Sequence, residues 1–135
     1  MKSYEDNEGY TNYYDTSVLP SGQTIRIEFQ EDWSKSKYFY NIYLVTSHKR
    51  KQADFIYGQQ TGKDGLKGLL WAKDKIIEFE EYIKQKYSDI PIIIYCCWTD
   101  NRRRNVYERG LRKLGYKYNF IFGSKALSKT ILINK

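Results

Sequence analysis

The sequence predicts an α/β (α+β) domain, a mixed and mostly antiparallel sheet with a central parallel β-α-β unit and helices packed on it. Three observations predict it. "QTIRIEFQ" alternates Ile25, Ile27 and Phe29 with Arg26, Glu28 and Gln30, the period of a half-buried strand. Leu69, Ala72, Ile76, Phe79 and Ile83 recur at spacings of three and four, the apolar stripe of a long helix that covers a sheet. "DIPIIIYCCW" follows as an almost unbroken apolar run and reads as a central strand buried on both faces.

In chain order, residues 1–20 are rich in Tyr, Asp, Glu, Asn and Gly and show no sustained periodicity, so an irregular arm is expected there and a single domain over 21–135. After the strand at 23–30, "EDWSKSK" reads as a turn. "YFYNIYLVTS", dense in aromatic and branched residues, reads as a second strand, and "ADFIYGQQ" as a shorter third, giving an antiparallel meander over 23–60. The helix is expected over roughly 65–87. A crossing from the third strand through that helix to the apolar run makes a parallel unit. "DNRRRNVYERGLRKLGY" reads as a second helix, capped by Asp100 or Asn101, with Tyr107, Leu111 and Leu114 on one face and Gly115 at its end. "KYNFIF", a turn around Gly123 and "KTILIN" close the chain as an antiparallel pair.

Composition narrows the function classes. A length of 135 residues suits one core, and 41% hydrophobic with 17% aromatic residues excludes wholesale disorder. No window approaches the roughly 18 apolar residues of a membrane span, and "MKSYEDNEGY" lacks the apolar stretch of a secretory signal, so a cytoplasmic protein with no membrane partner is expected. Cys96 and Cys97 are adjacent within an apolar run and read as packed strand thiols; no metal site is expected. The net charge of +7 is uneven: residues 1–57 hold 7 Lys/Arg against 8 Asp/Glu, and residues 58–135 hold 16 against 8. An anionic partner would meet the second half.

The stretch between the third strand and the first helix, "QTGKDGLKGLLWA", invites a functional reading. A loop that enters a helix N-terminus presents unpaired amides and the positive end of the helix dipole, a setting that favours a pyrophosphate. Gly62 and Gly65 allow close backbone approach and Lys63 adds a charge. Neither a Walker loop nor a dinucleotide fingerprint fits the spacing.

Together with "NRRRNVYERGLRKLGY", this loop resembles the GNAT (GCN5-related) family of acyl-CoA-dependent N-acetyltransferases, over roughly residues 23–135 and most clearly over 54–116. The family loop has the pattern Gln/Arg-x-x-Gly-x-Gly/Ala. In the frame that starts at Gln60, Lys63 stands at the middle glycine and Gly65 closes the motif at the helix start. The resemblance implies the acyl-CoA N-acyltransferase fold and acetyl-CoA (CoA) as ligand, held by Gln60, Thr61, Gly62, Lys63, Asp64, Gly65 and Leu66, with Asn101 contributing from the later helix. It also implies that the two central strands diverge beside the loop to admit the pantetheine arm.

The same resemblance assigns Tyr107 as the candidate general acid toward the departing thiolate, a role that a phenol of pKa ~10 suits. The base stays open among Glu28, Asp32, Asp54, His48 and water. The family normally places one or two helices after its first strand; here they are either compressed into residues 1–20 or absent. A shortened wall implies an open acceptor site, or one completed by a second subunit in a homodimer, for a small-molecule amine or a protein acceptor. Two other readings compete: an inactive CoA-binding or protein-binding scaffold, and a nucleic-acid module that grips phosphates through the basic helix at 101–114.

Overall fold

A computed structural model describes residues 1–34, 37–47, 52–53, 62–86, 90–96 and 104–131. The strands are β1 (Lys2–Glu5), β2 (Thr11–Val18), β3 (Thr24–Ser34), β4 (Lys37–Ser47), β5 (Gln52–Ala53), β6 (Ile92–Cys96), β7 (Lys117–Ile121) and β8 (Ser124–Ile131); the helices are α1 (Gly62–Lys86) and α2 (Arg104–Lys113). They form a mixed sheet ordered β1-β2-β3-β4-β6-β8-β7, with β5 paired to β4 off that path. Every described pairing is antiparallel except β4 with β6, so the expected mixed, mostly antiparallel sheet with one parallel junction is present.

The core lies between the sheet and the two helices. Ile25, Ile27 and Phe29 on β3 and Tyr40, Ile42 and Leu44 on β4 share one face through their cross-strand register and are buried. The α1 stripe Ala72, Ile76, Phe79 and Ile83 covers them. Phe79 stacks on Phe29 with ring centroids 4.0 Å apart and planes 5° from parallel, and meets Tyr40 edge-on at 5.0 Å. Burial of these rings is the main driving force at this junction.

The α2 helix packs beside α1 on that same face, its Leu111 buried and its Leu114 packed against the core. It ends as the glycine at 115 dictates: Gly115 has φ 100°, its amide donates to Arg112 O, and the Tyr116 amide donates to Leu111 O. These are the paired bonds of a Schellman cap, with Tyr116 and Leu111 both buried as its hydrophobic contact.

Three expectations are corrected. Residues 1–20 are not an irregular arm: β1 and β2 form an antiparallel hairpin, and β2 continues the sheet from β3. The connecting turn is built on Asp6, whose carboxylate accepts from the amides of Glu8 and Tyr10, with Gly9 at φ 87°. Only this turn separates the first two strands, so no helix lies between them. The parallel neighbour of β6 is the second strand of the expected meander, β4, rather than the third. Of that third strand, Gln52–Ala53 pair with β4, and residues 54–60 lie outside those described. Finally, β6 alternates: Ile92, Ile94 and Cys96 are buried while Ile93 and Tyr95 are half-buried, because both helices cover one face of the sheet.

Candidate functional site

The parallel pair is partial. β4 and β6 match from Tyr38 with Ile92 to Asn41 with Tyr95, and β6 ends one residue later at Cys96. β4 runs on to Ser47, paired with β3 along its other edge, and among the described residues meets β5 at Thr46 and Ser47. Ile42 to Val45 therefore have no strand partner on the β6 side among the described residues. The junction's last matched pair, Asn41 with Tyr95, marks a fork, and the chain that follows β6 and β5 on its open side falls among residues outside those described.

Both helices begin at the open end of this fork. Leu69 of α1 lies against Gly110 of α2, and further along, the Tyr116 hydroxyl beyond the end of α2 reaches Glu80 of α1. The two helices thus run side by side in the same sense, their first turns at the same end. Between them and the fork lies an apolar cavity of about 30 Å³, lined by Leu44, Leu69, Cys96, Gly110 and Leu111 among others.

The helix α1 starts at Gly62, three residues earlier than its apolar periodicity indicates. Gly62, Lys63, Asp64, Gly65 and Leu66 are consequently helix rather than loop. Periodicity sees only where apolar residues recur, whereas the first turn here, Gly62 to Gly65, is made of glycine and charged residues. The amides of that turn have no acceptor inside the helix, and an acidic residue there complements the dipole, as Asp64 does by position. Tyr107 falls in the first turn of α2, so the two segments singled out by sequence open at one end of the molecule. Gln60, Thr61, Asn101, His48 and Asp54 lie outside the described residues.

On the sheet face away from the helices, sequence reasoning missed most of what is present. β2 parts from β3 beyond Tyr13 and Phe29, and two side chains carry the ladder onward: the Glu31 amide donates to Asn12 Oδ1 at 2.9 Å, and the Thr11 amide donates to Glu31 Oε1 at 2.8 Å. This opening, the Asp6–Tyr10 turn and the end of the fork enclose a recess of about 460 Å³. Its carboxylates are Asp6, Glu8 and Asp32, with Glu31 at its rim turned to the helix side, where it accepts from the Tyr40 hydroxyl at 2.5 Å; its remaining lining comes from Tyr4, Tyr10 and Tyr95 with Asn12, Gln30 and Asn41. Asp32 is thus the one candidate base that the described structure places beside the fork. Glu28 is not a surface carboxylate: it is 7% exposed, accepts from Arg26 Nη2 at 3.0 Å and takes the Tyr4 hydroxyl.

A second recess of about 460 Å³ lies along α2, lined by Glu108, Arg109, Arg112 and Lys113. Arg112 and Lys113 occupy the last turn, where cations complement the dipole. Among the described residues no group of His, Cys, Asp or Glu is arranged to hold a metal ion, and no helix is long and apolar enough to cross a membrane. In comparisons with known proteins, no family model, curated protein or solved structure matches the chain.

Proposed function

We propose that this chain is an acetyl-CoA-dependent N-acetyltransferase that moves an acetyl group to an amine, on a GNAT-like scaffold with a shortened N-terminal half. The observation that supports the reading is the parallel junction: β4 and β6 pair from Tyr38 with Ile92 to Asn41 with Tyr95, and both helices start at the end toward which these two strands run. Such an arrangement fits the cofactor by chemistry. In this reading the two amide groups of a pantetheine arm pair with main-chain groups of β4 beyond Asn41, as an added strand would. The first turn of α1, Gly62 to Leu66, offers unpaired amides and a positive dipole end to a diphosphate, with Gln60, Thr61 and Asn101 as further candidates.

Acetyl-CoA would supply an activated acyl thioester. The chain's own residues then have three tasks. Main-chain donors at the fork orient the acyl carbonyl. A carboxylate or water on the far side of the sheet takes the proton that the attacking amine gives up as its C–N bond forms and the C–S bond breaks, and Asp32 is the candidate for that role. Tyr107 returns a proton to the leaving sulfur.

The test is stabilisation by CoA followed by turnover on a panel of amines. Tyr107→Phe is expected to lose turnover while CoA still raises the melting temperature; unchanged turnover would remove Tyr107 from the chemistry. Binding without turnover would favour the inactive scaffold, and tight DNA or RNA binding that weakens steeply with salt would favour the basic-helix reading.

A further inference from the structure

The sheet ends at β1 on one side and at β7 on the other. β1 is blunted as edge strands usually are, by its short length and by the exposed charges Lys2 and Glu5. β7 instead carries Phe120 with 78% of its surface exposed, in a chain where Phe29 and Phe79 are fully buried. The turn after β7 is fixed in place. Phe122 (φ 52°) and Gly123 (φ 82°) form a two-residue hairpin turn with both residues left-handed. A phenylalanine rarely adopts that conformation; here its ring lies 4.7 Å from Phe39 and 6.1 Å from Tyr95, which anchors it across the sheet.

That turn sets which main-chain groups face outward. Ile121 and Ser124 flank it as a pair that exchanges both hydrogen bonds, so by alternation Asn119 and Lys117 also bond toward β8. The N–H and C=O of Tyr118 and Phe120 then point to the outer edge. Their side chains share one face, that of the buried Leu127, which pairs with Tyr118. The run Tyr118-Asn119-Phe120 therefore reads aromatic, polar, aromatic in either direction. A two-fold axis through Asn119 sets Tyr118 opposite Phe120 of a second copy and Phe120 opposite its Tyr118. Each such pair exchanges both main-chain bonds, with its rings side by side on the helix-covered face.

We infer that β7 is a self-association edge: two copies join β7 to β7, antiparallel and centred on Asn119, into one continuous sheet. An unrelated extended peptide meets the same main-chain groups, but a second copy also supplies an aromatic residue opposite each ring. Area sets the strength. Burying the exposed part of Phe120 removes roughly 150 Å² of the ~200 Å² that such a side chain offers. Two such rings and two strands of 5 residues fall short of the ~1,200 Å² of a stable complex. Charge opposes the contact as well, since each copy carries +7 and Lys125, the cross-strand partner of Phe120, stands near the axis. The dimer is thus weak, and salt strengthens it. Nothing in this inference depends on the acetyltransferase reading.

The experiment is sedimentation velocity of the full chain from roughly 10 μM to 1 mM, the range in which so small a contact is populated. A dimer is expected at the upper end, in larger proportion at high salt. Phe120→Lys should weaken it at least tenfold. Phe122→Asn keeps the turn and removes an exposed ring packed over Phe39 on the other face, so it should leave the dimer unchanged. Asn119→Cys brings two thiols to the axis, where facing Cα atoms lie about 4.5 Å apart, and should cross-link under mild oxidation, with Lys117→Cys as the inert control. Positions 117, 119 and 120 are exposed, and circular dichroism checks that each variant folds. A monomer throughout the range, a dimer that salt dissolves, equal losses in Phe120→Lys and Phe122→Asn, or equal cross-linking through 117 and 119 overturns the inference, whatever the response to CoA.

Discussion

Lys129 on β8 places its ammonium 2.9 Å from the Glu80 carboxylate of α1 and 2.8 Å from the Leu114 carbonyl past the end of α2. The other Glu80 oxygen accepts from the Tyr116 hydroxyl at 2.8 Å. Glu80 is 6% exposed and Tyr116 1%, so these two donors supply hydrogen bonds that burial denies Glu80 from water. The group fastens both helices to the sheet at the level of Ile94, which pairs with Lys129.

Removing one partner should cost more than removing the set. Lys129→Met is expected to destabilise by about 1–3 kcal/mol, less than a fully buried pair because Lys129 keeps partial solvent access, and Tyr116→Phe by about 1 kcal/mol. The double variant Glu80→Leu with Lys129→Met should lose less than the sum of its single substitutions, as a urea-unfolding double-mutant cycle would show.

Stability should fall in alkali. Burial, reinforced by the neighbouring Glu80, raises the Tyr116 phenol well above its ordinary 10.0, and burial pushes Tyr13 up to about 12 against the opposing pull of Lys86. Above pH 10 the unfolded chain releases these protons while the folded chain keeps them, so the unfolded state binds fewer protons and unfolding becomes easier as pH rises. The loss begins near pH 10 and, for Tyr13, continues to about 12. Tyr116→Phe and Tyr13→Phe should flatten this slope in denaturant titrations between pH 9 and 11.

Phe79 stands at the meeting point of Phe29, Tyr40 and Tyr13, and is fully buried. Phe79→Ala should therefore cost about 3–5 kcal/mol and Phe79→Leu markedly less, since the cavity term scales with the volume removed. Equilibrium unfolding of the two variants measures the difference.

Gly115 holds φ 100°, and a Cβ added there would meet Lys129 only at ordinary contact distance, 3.6 Å. The cost of Gly115→Ala thus comes from backbone strain rather than crowding, about 1–2 kcal/mol. Gly115→Asn should recover part of it.

The parts of the fold that repeat locally were legible in the sequence. Ile25, Ile27 and Phe29 announced β3, the stripe from Ala72 to Ile83 announced α1, and Gly115 announced the end of α2. The Tyr-rich β1–β2 hairpin was not, because in β2 only Asn12 and Tyr13 are buried, and Tyr13 is anchored by Phe79 and Tyr82, more than sixty residues away. Strand adjacency was misread for a similar reason: chain order puts "ADFIYGQQ" next to the helix, whereas the parallel register joins Tyr38–Asn41 to Ile92–Tyr95. The acidic recess draws on residues from 4 to 95, and no local pattern in "DNEGY" or "QED" points to the other.

The central claim is a cofactor bound at the fork, and calorimetric or thermal-shift titration of the full chain with CoA, against adenosine as control, tests it most directly. At a hundredfold excess over the dissociation constant CoA should add about 2.7 kcal/mol of stability, with no comparable response to adenosine. Identical melting curves with and without millimolar CoA would contradict the acetyltransferase reading.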